Sequence, residues 1–184
     1  MPAQFSADMV IHTGRGEDMK GKIYFGGQKV RTDMDMRGRS ISNITDIANK
    51  KAYTLMNDQK MYMEHDLDRP NGPMSRGPRM PDIKQFAENP CANEEGVTCK
   101  KTGTETVNGR SCDVWEFTKD GKPDRTVWID QKLRIPVKMT RPDGTSFELQ
   151  NIKEGPQPAS EFEIPSGYQK MEGMGGMMGR RPDQ

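Results

Sequence analysis

The chain has 184 residues, carries Lys+Arg 28 against Asp+Glu 27, and is only 32% hydrophobic. That length allows one domain with a full core, while a net charge of +1 supplies no long-range pull toward nucleic acid or an anionic membrane. No apolar run is long enough for a transmembrane helix, and Gly 19 with Pro 13 announces many tight turns.

The first third alternates between apolar and polar residues. Phe5–Thr13 predicts a strand. In Met19–Phe25 the odd positions are apolar or glycine, and Lys20 and Lys22 face the other way. Gly26-Gly27 reads as a turn, after which Val30–Met36 alternates again with charges at Arg31, Asp33 and Asp35. Period-two patterning of this kind belongs to strands with one buried and one wet face. Ser40–Ile47, Ala52–Met56 and Lys60–His65 continue it, joined by turn-forming Asn49-Lys50-Lys51 and Asn57-Asp58-Gln59.

The alternation stops at Asp68–Pro81, where repeated prolines remove ladder donors and exclude regular structure. Pro81–Ala87 then predicts a short helix, with Ile83, Phe86 and Ala87 on one face. Strands resume at Thr98–Glu105 and Ser111–Thr118 around Asn108-Gly109, a strong hairpin signal. Arg125–Asp130, Ile135–Thr140 and Ser146–Asn151 complete the set. The expectation is a mainly β (α+β) domain over 1–170: about ten or eleven antiparallel strands in a strongly curved sheet or incomplete β-barrel. Segment 67–97 interrupts it, and 171–184 forms a flexible tail.

No catalytic constellation is legible. His12 and His65 sit in separate strands without ligand spacing, and neither a phosphate-cradling loop nor a nucleophile elbow occurs. The expectation is therefore not an enzyme, and no cofactor. Three cysteines allow a geometric reading: a two-residue turn at Asn108-Gly109 sets Cys99 opposite Thr118, roughly 20 Å along the ladder from Cys112, too far for a bridge. Any intrachain disulfide then uses Cys91, with Cys99 as first partner and Cys112 as second; three free thiols is the other outcome.

Methionine, at 15 residues, is overused. Met9, Met19, Met34, Met36, Met61, Met63 and Met139 share the parity of the buried strand faces. With Ile11, Ile23, Phe25 and Val30 they form a candidate wall for a ligand, because flexible thioether side chains repack around apolar partners of varied shape. A second cluster, Met171, Met174, Met177 and Met178, offers soft donors suited to Cu(I), so copper handling is the alternative function.

The order Gly103-Thr104-Glu105-Thr106-Val107-Asn108-Gly109, Trp115, Phe117, Trp128-Ile129-Asp130, Ile135-Pro136-Val137-Lys138 and Phe162-Glu163-Ile164-Pro165-Ser166-Gly167-Tyr168 resembles the LolA/LolB superfamily of bacterial lipoprotein-localisation factors. The resemblance implies an incomplete barrel whose cavity holds an acyl chain of a lipid or lipoprotein, with Ile83 and Phe86 in a lid over its mouth. It also implies a periplasmic location and an envelope protein as a further partner. The chain departs from the pattern by having no helix before the first strand and a lid region rich in Pro and Gly. It also has no lipid-anchoring cysteine near its start, which favours a soluble carrier over an anchored receptor.

Overall fold

The computed structural model describes residues 4–14, 16, 18–68, 90–91 and 95–171. The strands are β1 (Phe5–His12), β2 (Asp18–Phe25), β3 (Lys29–Met36), β4 (Arg39–Asp46), β5 (Lys51–Met56), β6 (Met61–Asp66), β7 (Val97–Val107), β8 (Arg110–Lys119), β9 (Lys122–Asp130), β10 (Pro136–Thr140), β11 (Ser146–Glu154) and β12 (Gln169–Lys170). They form one 12-stranded sheet in the order β12-β6-β5-β4-β3-β2-β1-β11-β10-β9-β8-β7. Every pairing is antiparallel except β12 on β6, which is parallel. The strands expected from alternation are all present. The additional β12 is two residues long, too short to show any period.

The expected strong curvature into an incomplete barrel is not what forms. The edge strands β7 and β12 lie at opposite ends of the order and do not pair, so the sheet is open. Among the described residues the only helical segments are 3₁₀ turns at Asn57–Gln59 and Ala159–Phe162, so no α-helix accompanies the sheet there. The predicted helix Pro81–Ala87 lies outside the described residues.

A physical reason for the open form is that the sheet buries side chains on both sides. On one side Phe5, Ala7, Met9, Ile23, Phe25, Val30 and Leu149 belong to the main core cluster, to which Val107, Ile135 and Val137 also contribute. Ser42, Ile44 and Leu55 have the opposite parity, yet all three are 1% exposed or less. Residues 155–168 form a strap on that second side. Gly155 N–H donates to the Gln4 carbonyl, and a β-carbon at Gly26 would sit 2.7 Å from the Phe162 ring. Arg31 Nη1 donates to the Glu161 carbonyl at 3.1 Å, and Tyr168 Oη donates to Asn57 Oδ1 at 2.9 Å. Asn57 Nδ2 in turn donates to Ser42 Oγ at 2.9 Å. A sheet covered in this way has no need to roll up on itself to hide apolar surface.

The Asn108-Gly109 hairpin forms as expected, with φ values of 49° and 77° at its two central residues, the sense that matches the twist of paired strands. Glu105 faces Cys112, but Cys99 faces Phe117 rather than Thr118, because a bulge between Lys101 and Gly103 shifts the register by one. Cys91 and Cys99 are bridged with Cα atoms 5.8 Å apart, and Cys112 is free and buried. The bridged pair packs, with Val97 and Trp115, on the second cluster of Phe117, Val127 and Ile129. The double variant Cys91→Ser/Cys99→Ser is expected to lose about 2–3 kcal/mol in equilibrium unfolding. Without reductant, a thiol-reactive probe should label only Cys112 in the unfolded chain; labelling of all three cysteines would contradict the bridge.

Candidate functional site: a methionine-rich sheet face

Directly opposed residues in antiparallel strands point to the same side, so the register defines the face row by row. One row runs Leu149, Met9, Gly21, Met34, Ile41, Met56, Met61 from β11 through β1 to β6. A neighbouring row contains Met139, Phe147, Ile11 and Met19. On the other side of the first lies Ala7, Ile23, Thr32, Asn43, Thr54, Met63, followed by Phe5, Phe25 and Val30. The structure thus brings Met9, Ile11, Met19, Ile23, Phe25, Val30, Met34, Met61, Met63 and Met139 to one face. Met36 pairs with Arg39 at the end of β3.

The face has two parts. Met9, Ile23, Phe25 and Val30 are 8% exposed or less and belong to the core beneath β1–β3. Met34, Ile41, Met56, Met61 and Met63 are half-buried and extend the face toward the β6 edge. Gly21 sits between Met9 and Met34 for a steric reason. A β-carbon there would lie 2.2 Å from the Asp33 carbonyl oxygen and 3.1 Å from Met34 Cγ, so the absent side chain gives Met34 its space. Ile41 and Met56 escaped the sequence reading, although Ala52, Thr54 and Met56 share a parity that marks the last of them. Ile83, Phe86, Met174, Met177 and Met178 lie outside the described residues, whereas Met171 lies within them.

A polar network occupies the far end of the sheet. Asp130, at the end of β9, is 1% exposed and receives the Arg110 guanidinium and the backbone N–H groups of Lys132 at 2.8 Å and Leu133 at 2.7 Å. Arg110 also donates to Glu154 at 2.9 Å. Burial alone would raise the Asp130 carboxyl, but the Arg110 guanidinium and the two amides outweigh it and hold it below the ordinary value. Burial, reinforced by the Asp130 charge, pushes the Cys112 thiol up, which leaves it a poor nucleophile. A depression of about 370 Å³ beside this network is lined by Gly109, Arg110, Ser111, Asp130, Gln131, Lys132 and Glu154. Its charges pair with one another, an arrangement that fixes the β9–β10 turn. No group of three or more His, Cys, Asp or Glu among the described residues is placed to hold a metal ion.

These features define a mainly β domain built on one open sheet with a thioether-rich apolar face. The chain belongs to the family described as a domain of unknown function, DUF4412, whose model matches residues 6–134. No curated protein sequence matches it. Among solved structures, an uncharacterised conserved protein from Thermus thermophilus superposes with a TM-score of 0.61 at 9% identity, covering 93% of this chain and 91% of that one. A chain of the Pseudomonas aeruginosa MucA/MucB complex gives 0.57 at 14% identity, over 89% of this chain and 56% of that one. A domain described under outer membrane lipoprotein sorting from Vibrio parahaemolyticus covers 88% of this chain and 89% of its own, at 15% identity and a TM-score of 0.37, too loose a superposition to support an argument. At such identities the likenesses speak for the fold alone.

Proposed function

We propose that the domain is a carrier or binding module that receives an extended apolar chain, such as the acyl chain of a lipid or lipoprotein, along its methionine-rich face. The observation that carries this reading is the unbroken row from Leu149 to Met61 across the sheet, whose outer members Met34, Ile41, Met56 and Met61 are only half-buried. Unbranched thioether side chains adapt to a ligand without a fixed shape. Burial of the chain supplies about 0.8 kcal/mol per methylene, so a mid-length acyl group needs no covalent step to be held. In this reading the ligand lies on an open face rather than inside a closed barrel. The Cys91–Cys99 bridge fits an exported protein in an oxidising compartment such as the periplasm.

A fluorescent fatty-acid probe tests the proposal directly. The full chain is expected to bind it saturably, and Met34→Glu/Met61→Glu to weaken binding at least about tenfold by placing charge where apolar contact is needed. Absence of both probe binding and co-purifying lipid by native mass spectrometry would sink the carrier reading.

A further inference from the structure

We infer that the β6 edge carries a soft-metal site in which Met61, Met63 and Met171 supply thioether ligands to a monovalent ion such as Cu(I), with Met56 alongside. This rests on a different observation from the acyl-chain reading, namely the register of β12. Gln169 and Lys170 pair in parallel with Met61 and Tyr62. The ladder continues one residue further, since Gln169 N–H donates to the Lys60 carbonyl at 2.9 Å and Met171 N–H donates to the Tyr62 carbonyl at 2.8 Å.

Alternation then sends Lys170 to one side and Met171 to the other. The Lys170 ammonium lies 3.5 Å from the Glu64 carboxylate, on the side of Tyr62 and away from Met61 and Met63. Met171 therefore comes level with Met63 on the methionine side. Met56 is opposed to Met61 across β5 and β6. Neighbouring strands are about 4.8 Å apart and alternate residues about 6.7 Å apart along a strand, so flexible side chains from Met61, Met63 and Met171 can converge on one ion. All four methionines are half-buried, hence neither sealed in the core nor fully solvated.

The donor set selects the ion. Thioethers are neutral, soft ligands that favour Cu(I) over hard divalent cations, which seek carboxylates. The carboxylates of this edge, Glu64 and Asp66, are engaged elsewhere: Lys51 Nζ lies 2.9 Å from Glu64 and 2.6 Å from Asp66. Ordinary packing would also place methionines here, but it does not require a strand of two residues to join β6 in the register that brings Met171 level with Met63.

The experiment is a titration of the full chain, labelled with ¹³C at the methionine methyl groups, with Ag(I) as a redox-inert probe and then with chelator-buffered Cu(I) under anaerobic conditions. The methyl resonances of Met61, Met63 and Met171 are expected to shift together and saturate near one equivalent. Met63→Leu and Met171→Leu, which keep volume but remove sulfur, are expected to weaken Cu(I) binding at least tenfold while leaving the thermal midpoint unchanged. No shift at micromolar metal, shifts confined to Met174, Met177 and Met178, or undiminished affinity in both leucine variants would each overturn the site.

Discussion

Asp130→Ala is expected to lower the free energy of unfolding by about 3–5 kcal/mol and the thermal midpoint by roughly 10 °C. Three groups depend on this carboxylate: the Arg110 guanidinium and the amides of Lys132 and Leu133. Alanine leaves the amides without their acceptor and Arg110, whose side chain is 19% exposed, with Glu154 as its remaining carboxylate. The turn that these bonds fix also delivers Leu133 and Ile135, 8% and 4% exposed, into the main cluster. Asp130→Asn keeps the Oδ1 acceptor for the two amides and loses the charge and the oxygen that accepts from Arg110, so its loss should be smaller than that of alanine. The acid limb gives an independent reading. The folded-state carboxyl titrates below its ordinary value of 3.8, so its stabilisation is complete above that pH and lost as pH falls through the folded value. Between about pH 5 and pH 2 the parent should therefore lose more stability than Asp130→Ala does. Thermal melts by circular dichroism measure both effects; a variant that melts like its parent at neutral pH would show that the network is decorative.

Much of the sheet is legible in the sequence because its strands obey period two without interruption. Met19–Phe25 and Val30–Met36 announce their faces residue by residue, and Asn108-Gly109 fixes a register that holds from Val107 to Gly103. Cys91 as a necessary bridge partner followed from the same ladder, even though the bulge beyond Gly103 moved Cys99 opposite Phe117. What stayed hidden has no local period. The strap contains Pro156, Pro158 and Pro165 and reads as a loop, so nothing in it declares that it covers a sheet. Without that knowledge Ser42 and Ile44 fall on the face marked wet by Arg31 and Asp33, and a barrel becomes the natural way to complete the core. The Arg110–Asp130–Glu154 network was invisible for another reason: its members lie 20 and 24 positions apart, and only the ends of β8, β9 and β11 bring them together. The methionine face was readable position by position, whereas its division into a packed part under β1–β3 and a half-exposed part toward β6 depends on which elements cover which strands.

Leu55→Ala is the substitution that tests the two-sided core, and it is expected to cost about 2–5 kcal/mol. Leu55 is fully buried at 0% exposure, opposite Ser42, on the side the strap covers. On a sheet with one wet face, the same residue would be a surface position whose truncation changes stability by no more than about 0.5 kcal/mol. The two architectures therefore predict outcomes separated by at least a factor of about three in a denaturant titration. Phe162→Ala, which removes a half-buried ring that the strap packs at Gly26, should destabilise in the same direction. Met63→Ala, on the other face and only half-buried, should cost less than Leu55→Ala. A larger loss at Met63 than at Leu55 would mean that the methionine face is the structural core of β4–β6. With the predicted order, β4 and β5 have their own core beneath the strap, and the half-exposed methionines opposite it are free to meet a ligand.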